Sequence, residues 1–415
     1  MKKIQFLKVL MLALFVSLGV MGFAQHGDEH QAGEHSHDQA GHDDAGHAEE
    51  FDLTKEALGH IANSNAIHVF GDLYIPLPAI LYAPGHGWST FLTSKFDAHH
   101  HGNGTKAIDH YVIKHGLIHR IADESFPYGE VAIDGFEHGE IEKGGEKVEV
   151  TYAVVKGQKF LLDEKSTLDG GLLGGGLSSY YDFSISKGVV TMFLVLLLAL
   201  WLFRAVAKGY ERNEGKAPSG AQSLLEPIIL FIRDEVAIPF IGKDKYQKYF
   251  PYLLSIFFFI LGLNLIGQFP LAGNVTGNFS FTLVLALVTG IYVNSQGNKH
   301  YWSHILWMPN VPAALKVFIL TPVEILGIFI KPFTLMLRLF ANIAAGHIVL
   351  VAFVGLIFIF GNSGESMVGA GAGAVMAFLL SMFMMAIELL VAFVQAFVFT
   401  LLTASYFGAA TEEAH

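Results

Sequence analysis

The stretch KPFTLMLRLFANIAAGHIVL, residues 331–350, lies inside a long apolar segment and yet contains Arg338. A charged arginine at the centre of a membrane costs about 3 kcal/mol on insertion scales and more than about 10 kcal/mol in simulations. Snorkelling to the membrane surface or an internal ion pair would offset this cost, but Arg338 lies far from either end of the segment. The stretch therefore favours a polar path through a membrane protein.

The composition agrees with a membrane protein. Of 415 residues, 52% are hydrophobic and only 15% are charged, and the mean hydropathy is +0.46. The net charge of -11, without a long basic run, argues against a nucleic-acid partner. The chain contains no cysteine, which excludes disulfides and thiolate metal sites.

Residues 1–24 are predicted to form a signal peptide. Three lysines flank the short apolar run Val9–Val20, and the small residues Gly22 and Ala24 form a cleavage motif before Gln25. The run is too short to span a membrane comfortably, which disfavours the alternative of an uncleaved anchor. The mature chain is therefore expected to begin outside the cytoplasmic membrane.

Residues 25–50 are rich in histidine, acids and glycine, and such a segment is predicted to be disordered because it cannot bury a core. Its histidines are His26, His30, His35, His37, His42 and His47. Their irregular spacing defines no coordination geometry, so a solvated tail is favoured over a specific metal site.

Residues 51–183 are predicted to form a small extracytoplasmic region that is β-rich or mixed α/β. The segments GEVAIDGFEHGEI (129–141) and KVEVTYAVV (147–155) alternate as short strands do. The histidines of DAHHHGNG (97–104) are adjacent, and adjacent side chains rarely bind one ion together. The glycine cluster at 169–179 lacks the lysine and hydroxyl of a phosphate loop, which favours a flexible linker.

Residues 184–410 are predicted to form an all-α polytopic membrane domain. About five membrane-embedded helices are expected, at 185–207, 250–269, 279–295, 313–360 and 368–407. The last two segments exceed the roughly twenty residues that one crossing needs, so these long helices must tilt or bend. Residues 221–240 are too charged to cross and suit an interfacial amphipathic helix.

Polar residues interrupt the last two segments. They are Glu324, Lys331, Arg338, Asn342, His347, Glu388 and Gln395. Arg338 and Asn342 are four residues apart and share a helix face, whereas His347 points nearly opposite to Arg338. Glu388 and Gln395 also share a face. This spacing predicts two water-accessible pockets that are separated by a fixed positive charge.

Three stretches carry a resemblance to a known family, subunit a of the bacterial F-type ATP synthase membrane sector. They are EPIILFIRDEVAIPFIG (226–242), KPFTLMLRLFANIAAGHI (331–348) and IELLVAFVQAFVFTLLTASY (387–406). The resemblance implies a long tilted hairpin packed against a rotating ring of c subunits. It also implies a non-catalytic subunit that conducts protons through two half-channels and couples this to ATP synthesis.

The resemblance assigns proton translocation to Arg338, Asn342, His347, Glu388, Gln395 and Glu324. Arg338 resembles the stator arginine that faces the ring carboxylates, with Asn342 and Gln395 as its polar neighbours. His347 and Glu388 match positions of the outer half-channel, as a pair that is exchanged relative to some bacterial relatives. Glu324 resembles an acidic position near the inner access route.

The implied partners are the c-ring, the b subunits of the peripheral stalk, other ATP synthase subunits, protons and the lipid bilayer. No cofactor is implied, and the implied location is the inner membrane with the N-terminal region outside. The alternative is a metal-ion transporter that captures its cargo with the histidine-rich segment, although His347 and Glu388 are few ligands for a membrane metal site. A membrane-anchored binding module would leave the buried polar residues unexplained.

Overall fold

The computed structural model describes residues 64–70, 73–99, 102–121, 123–143, 146–163, 180–269, 272–307, 315–361 and 366–412. The predicted signal peptide (1–24), the histidine-rich segment (25–50) and the glycine cluster (169–179) lie outside the described residues. Along the described chain the strands come before the helices, and the strand region joins the helical region at residues 180–187.

Fourteen strands occupy the N-terminal part of the described chain. They are β1 (Ala66–Phe70), β2 (Leu73–Pro76), β3 (Pro78–Ala83), β4 (Gly87–Leu92), β5 (Ala98–His99), β6 (Asn103–Gly104), β7 (Lys106–Ile108), β8 (Tyr111–Lys114), β9 (Leu117–Ile121), β10 (Glu130–Ala132), β11 (Gly135–Lys143), β12 (Glu146–Val155), β13 (Gln158–Asp163) and β14 (Tyr181–Asp182). A seven-stranded antiparallel sheet has the order β10-β7-β8-β9-β13-β12-β11, and a three-stranded sheet has the order β14-β3-β4. The prediction of a β-rich region is confirmed, and both quoted alternating segments are strands.

Two apolar clusters hold this region together. One lies beneath the three-stranded sheet and includes the buried Leu81, Phe96 and Ile113. The other lies against the seven-stranded sheet and includes Ile121 and Phe160. The alternation of buried and exposed residues along β3 follows the period of two that places successive side chains on opposite faces.

Backbone hydrogen bonds join the strand region to the first helix. The Phe183 amide donates to the Ile80 carbonyl over 2.8 Å, and the Ile185 amide donates to the Pro78 carbonyl over 3.0 Å. The Lys187 amide donates to the Ser64 carbonyl over 2.8 Å. The three-stranded sheet is therefore fixed to the start of the helical region.

Eight α-helices follow in the described residues. They are α1 (Lys187–Arg212), α2 (Ala221–Phe231), α3 (Ile238–Ile241), α4 (Tyr246–Gly267), α5 (Phe279–Ser295), α6 (Lys299–Leu306), α7 (Thr321–Phe360) and α8 (Met367–Thr411). Helices α1, α4, α7 and α8 are long and apolar enough to cross a membrane, and α5 with α6 would form a fifth span that bends by 107°. The predicted polytopic fold with about five membrane helices is confirmed.

The last two helices are much longer than one crossing requires. Helix α7 has 40 residues and α8 has 45 residues, which correspond to about 60 and 68 Å at 1.5 Å per residue. A hydrocarbon core is about 30 Å thick. Both helices must therefore tilt strongly or extend beyond the core.

Helix α4 forms the centre of the helical core. Its Leu253, Phe257 and Ile260 are fully buried and belong to the same apolar cluster as Ala396 and Phe407 of α8. The predicted interfacial segment 221–240 is helical, with a π-helical turn at 232–237 between α2 and α3. These elements hold one side of α8 in place.

Candidate functional site

Two contacts define the register of the antiparallel pair α7 and α8. The Lys331 ammonium lies 5.5 Å from the centre of the Tyr406 ring. A Cβ placed on Gly346 would lie 2.5 Å from Oε1 of Glu388. Both helices rise by the same distance per residue. Interpolation between these two contacts therefore places Arg338 of α7 at the same level as about residue 397 of α8. Arg338 and Gln395 therefore lie at nearly the same height of the pair.

Arg338 and Asn342 share a face of α7, and both side chains are exposed. The guanidinium lies close enough to Tyr406 for an electrostatic interaction. The positive charge is thus available on the open surface of α7 and is not buried within the helical core of this chain.

Glu388 is half-buried on α8 and faces α7. Its Oε1 is buried and has no hydrogen-bond partner among the described residues. The carboxyl group can approach this closely because residue 346 is glycine. His347 directly follows Gly346, so its backbone lies at the level of Glu388. The His347 side chain lies outside the described structure.

A polar stripe runs along α8. Ser381, Glu388 and Gln395 are seven residues apart and therefore lie on one helix face. Gln395 is only 5% exposed, and the Ser381 hydroxyl is buried without a partner among the described residues. Sequence reasoning missed Ser381, because serine is common in membrane helices and does not stand out in an apolar segment.

Helix α4 contributes a further polar residue that the sequence analysis missed. The Asn264 side chain is buried, and its Nδ2 donates to the carbonyl oxygen of Ala392 over 3.2 Å. Its Oδ1 is buried with no hydrogen-bond partner in the described chain. A single asparagine in an otherwise apolar segment was its only sequence signal.

A second polar region lies near the start of α7. The Tyr301 hydroxyl donates to Oδ1 of Asn294 over 2.7 Å, and Glu324 interacts electrostatically with Tyr301. A pocket here is lined by Thr289, Gly290, Val293, Asn294, Tyr301, Ile328, Lys331, Pro332, Leu335 and Tyr406.

The two polar regions are far apart along α7. Glu324 and Gly346 are 22 positions apart along the chain, which corresponds to about 33 Å of helix. Arg338 lies between them. The described residues contain no cluster of three or more His, Asp or Glu side chains that could hold a metal ion.

Comparison with known families gives two matches along the chain. Residues 189–408 match the family described as ATP synthase A chain. Residues 57–159 match a domain of unknown function, DUF8433. The two matches cover the helical region and most of the strand region, respectively.

Comparison with individual relatives gives the same result. A protein named ATP synthase subunit a from Myxococcus xanthus is 38% identical over 262 residues, which cover 59% of this chain and 77% of the relative. One with that name from Chloroherpeton thalassium is 36% identical over 247 residues, with 57% and 71% covered. Another from Pelodictyon phaeoclathratiforme is 35% identical over 302 residues, with 71% and 84% covered. This chain therefore belongs to the ATP synthase A chain family, that of subunit a of the F-type ATP synthase.

Proposed function

We propose that this chain is the proton-conducting stator subunit of the ATP synthase. In this proposal two half-channels lead protons to and from the carboxylates of a c-ring, and the resulting rotation drives ATP synthesis. The chain itself is non-catalytic, and the c-ring and the b subunits of the peripheral stalk are its partners. It lies in the inner membrane with the N-terminal region, which follows a signal peptide, outside.

The observation that carries the proposal is the position of Arg338. Its side chain is exposed on α7, between the polar region around Glu388 and the polar region around Tyr301. A guanidinium in an apolar environment is costly unless a partner or water offsets its charge. A ring of carboxylates that passes this face would supply the opposite charge.

The same charge explains how protons would be released and kept from leaking. A carboxylate that arrives opposite Arg338 is favoured in its ionised form, so its proton leaves before it passes. A proton that moved directly between the two regions would have to pass the guanidinium, and like charges repel. Arg338 would therefore separate the two half-channels.

The strength of this attraction limits the geometry. Two unit charges about 4 Å apart attract by about 4 kcal/mol at an effective dielectric constant of about 20. One charge that crosses about 100 mV gains only about 2.3 kcal/mol. A lasting direct ion pair would therefore stop rotation, and we infer a loose or water-separated contact in which Gln395 helps to hold the guanidinium.

We assign the outer half-channel to the region around Glu388. One oxygen of its carboxyl group is buried without a hydrogen-bond partner among the described residues, so water or a neighbouring proton carrier would satisfy it there. His347, at the same level of α7, has a side-chain type that titrates near neutral pH. We assign the inner half-channel to the region of Glu324 and Tyr301, and Asn342 to the polar surface beside Arg338.

The decisive experiment is ATP-driven proton pumping in inverted membrane vesicles that contain Arg338→Ala. We expect pumping to fall to the background level, because no fixed charge then separates the half-channels. Arg204→Ala is the matched control, since it makes the same change at an exposed arginine of α1, outside both polar regions. We expect this control to keep most of the pumping.

Pumping at the parent rate by Arg338→Ala would refute the proposal. The alternative, a metal-ion transporter, predicts metal uptake into the vesicles that survives Arg338→Ala. The family relationship favours the ATP synthase function over this alternative.

A further inference from the structure

The three-stranded sheet β14-β3-β4 has an outer face without charged side chains. Along these strands the side chains that do not point into the core are Pro78, Ile80, Tyr82, Trp88, Thr90, Leu92, Tyr181 and Phe183. Trp88 is 62% exposed, Leu92 is 49% exposed and Phe183 is 45% exposed. A contiguous apolar face of this kind usually marks an interaction surface.

The aromatic side chains of this face form one connected group. The ring centres of Tyr82 and Trp88 are 5.0 Å apart, and those of Trp88 and Phe183 are 5.6 Å apart. Tyr82 also stacks on Tyr181 at 6.4 Å. Tryptophan and tyrosine are the residues that concentrate at the boundary between a membrane and water, where one part of the ring system is apolar and another is polar.

The position of the face along the chain indicates what it meets. Phe183 lies four residues before Lys187, the first residue of the membrane-spanning helix α1. The backbone hydrogen bonds from Phe183 to Ile80 and from Ile185 to Pro78 fix the sheet to this point. The sheet therefore lies next to the membrane surface at which α1 begins, whichever side that surface faces.

We propose that the outer face of the β14-β3-β4 sheet lies on the lipid headgroup region, with the Tyr82, Trp88 and Phe183 rings inserted at the level where α1 enters the membrane. The occupant of this face is lipid because the face is uncharged, rich in aromatic residues and continuous with a membrane span. The sheet would thereby hold the strand region against the membrane and fix the N-terminal end of α1.

The test uses the fluorescence of Trp88 in the full-length chain, reconstituted in phosphatidylcholine vesicles. The chain has four tryptophans, and replacing Trp201, Trp302 and Trp307 with phenylalanine leaves Trp88 as the reporter. We expect lipids with bromine atoms high on the acyl chain to reduce its emission by about half, as for an interfacial indole. Lipids brominated near the chain end should quench less, and aqueous iodide should quench weakly.

The control moves the reporter to the far edge of the strand region. Glu142 is exposed near the end of β11, the edge strand of the seven-stranded sheet. Glu142→Trp, combined with phenylalanine at all four native tryptophans, should respond to iodide and not to brominated lipid. The response of this variant to iodide also shows whether an aqueous quencher reaches the strand region of the reconstituted chain.

Three outcomes would overturn the proposal. Strong iodide quenching of Trp88 without lipid quenching would place the face in water. Insensitivity of Trp88 to both quenchers would show that protein covers it. Equal lipid quenching at Trp88 and at the Glu142→Trp reporter would show that the contact is not specific to this sheet.

Discussion

Gly346 decides how closely the Glu388 carboxyl can approach α7. Every other residue type carries a Cβ, and a Cβ at this position would lie 2.5 Å from Oε1 of Glu388 and 3.3 Å from its Cδ. A contact of 2.5 Å is well inside the van der Waals distance, so the carboxyl group would have to move away. The absence of a side chain at position 346 thus sets the position of Glu388 relative to the His347 backbone.

Gly346→Ala should therefore reduce proton translocation without removing any charge. The displaced carboxylate would no longer lie at the level of His347, and displacement of a reacting group by about 1 Å can lower a rate by as much as about 100-fold. We expect about a tenfold loss in the rate of ATP-driven proton pumping in inverted vesicles.

Gly327→Ala provides the control on the same helix, because a Cβ at position 327 would meet no atom within 4 Å. It makes the same chemical change and should keep the parent rate. Equal rates in the parent and in both alanine variants would show that the position of Glu388 does not depend on Gly346.

Charged residues of the site could be predicted from the sequence, whereas its small residues could not. Arg338 and Glu388 stand out because an ionised group within an apolar segment is costly and so indicates a function. Gly346 and Ser381 have no such signal, because glycine and serine are common in membrane helices. Their roles depend on which helix faces them, and only the structure provides that information.

The end of α8 is held by side chains from two other elements. The Lys245 ammonium donates to the carbonyl oxygen of Thr411 over 2.8 Å. Asn298 Nδ2 donates to the carbonyl oxygen of Glu412 over 2.5 Å, and Asn298 Oδ1 accepts from the Tyr301 amide over 2.8 Å. One asparagine therefore caps the start of α6 and the end of α8, whose terminal groups lack partners within their own helices.

Asn298→Ala should destabilise both helix ends at once. Loss of an N-cap costs about 1 kcal/mol, and loss of a second hydrogen bond costs about 1 kcal/mol more. We expect faster amide hydrogen exchange at the start of α6 and at the last turn of α8 in the detergent-solubilised chain.

Asn298→Asp separates the two contributions, because a carboxylate still accepts the Tyr301 amide but cannot donate to Glu412. Exchange should then accelerate at the end of α8 and remain slow at the start of α6. If Asn298→Ala left both regions as protected as in the parent, the side chain would not contribute to either end.

The hydropathy of the sequence predicts where the helices lie more accurately than it predicts the residues at which they end. Helix α5 has the predicted bounds, 279–295, and Asn278 caps it by accepting the Phe281 amide over 3.0 Å. Helix α1 continues to Arg212, five residues beyond the predicted end at 207. Polar residues beyond position 207 continue the helix but lower the local hydropathy. A sequence window of high hydropathy therefore ends before the helix does.

The sequence predicts a strand region followed by a helical membrane region, but it does not predict how the strands pair. β7 pairs with β10, and β9 pairs with β13. Alternation of side chains identifies a strand and its buried face, but it does not identify a partner strand that is distant along the chain. The order of the seven-stranded sheet thus required the structure.

Under the proposed function, this strand region lies in the compartment from which protons enter the outer half-channel. His110 lies in the region, with its ring 5.5 Å from Phe126 and 5.8 Å from Tyr128. Burial lowers the pKa of His110, and the positive charge of Arg120 lowers it further, although the Ile121 backbone raises it. His86, with its ring 6.5 Å away, is the other histidine that faces it.

The lowered pKa predicts that acid destabilises the strand region. The unfolded chain binds a proton at His110 near pH 6.5, while the folded chain resists protonation to a lower pH. The free energy of unfolding should therefore be at its plateau above about pH 6.5 and should fall as the pH decreases toward the folded pKa. One proton limits the slope to about 1.4 kcal/mol per pH unit, and the partial exposure of His110 makes the actual slope smaller.

His110→Asn should remove this dependence while keeping the left-handed backbone conformation, with φ of 70°, that asparagine tolerates. The measurement is the ratio of amide protection factors at pH 7.5 and pH 5.5, for peptides from β8 and β9 of the full-length chain. This ratio should be larger in the parent than in His110→Asn. His86→Gln is the control and should retain most of the parent ratio, because the half-buried His110 ring stays in place and burial lowers its pKa more than the charge of His86 does. A parent chain whose protection did not change between the two pH values would contradict the assigned role of His110.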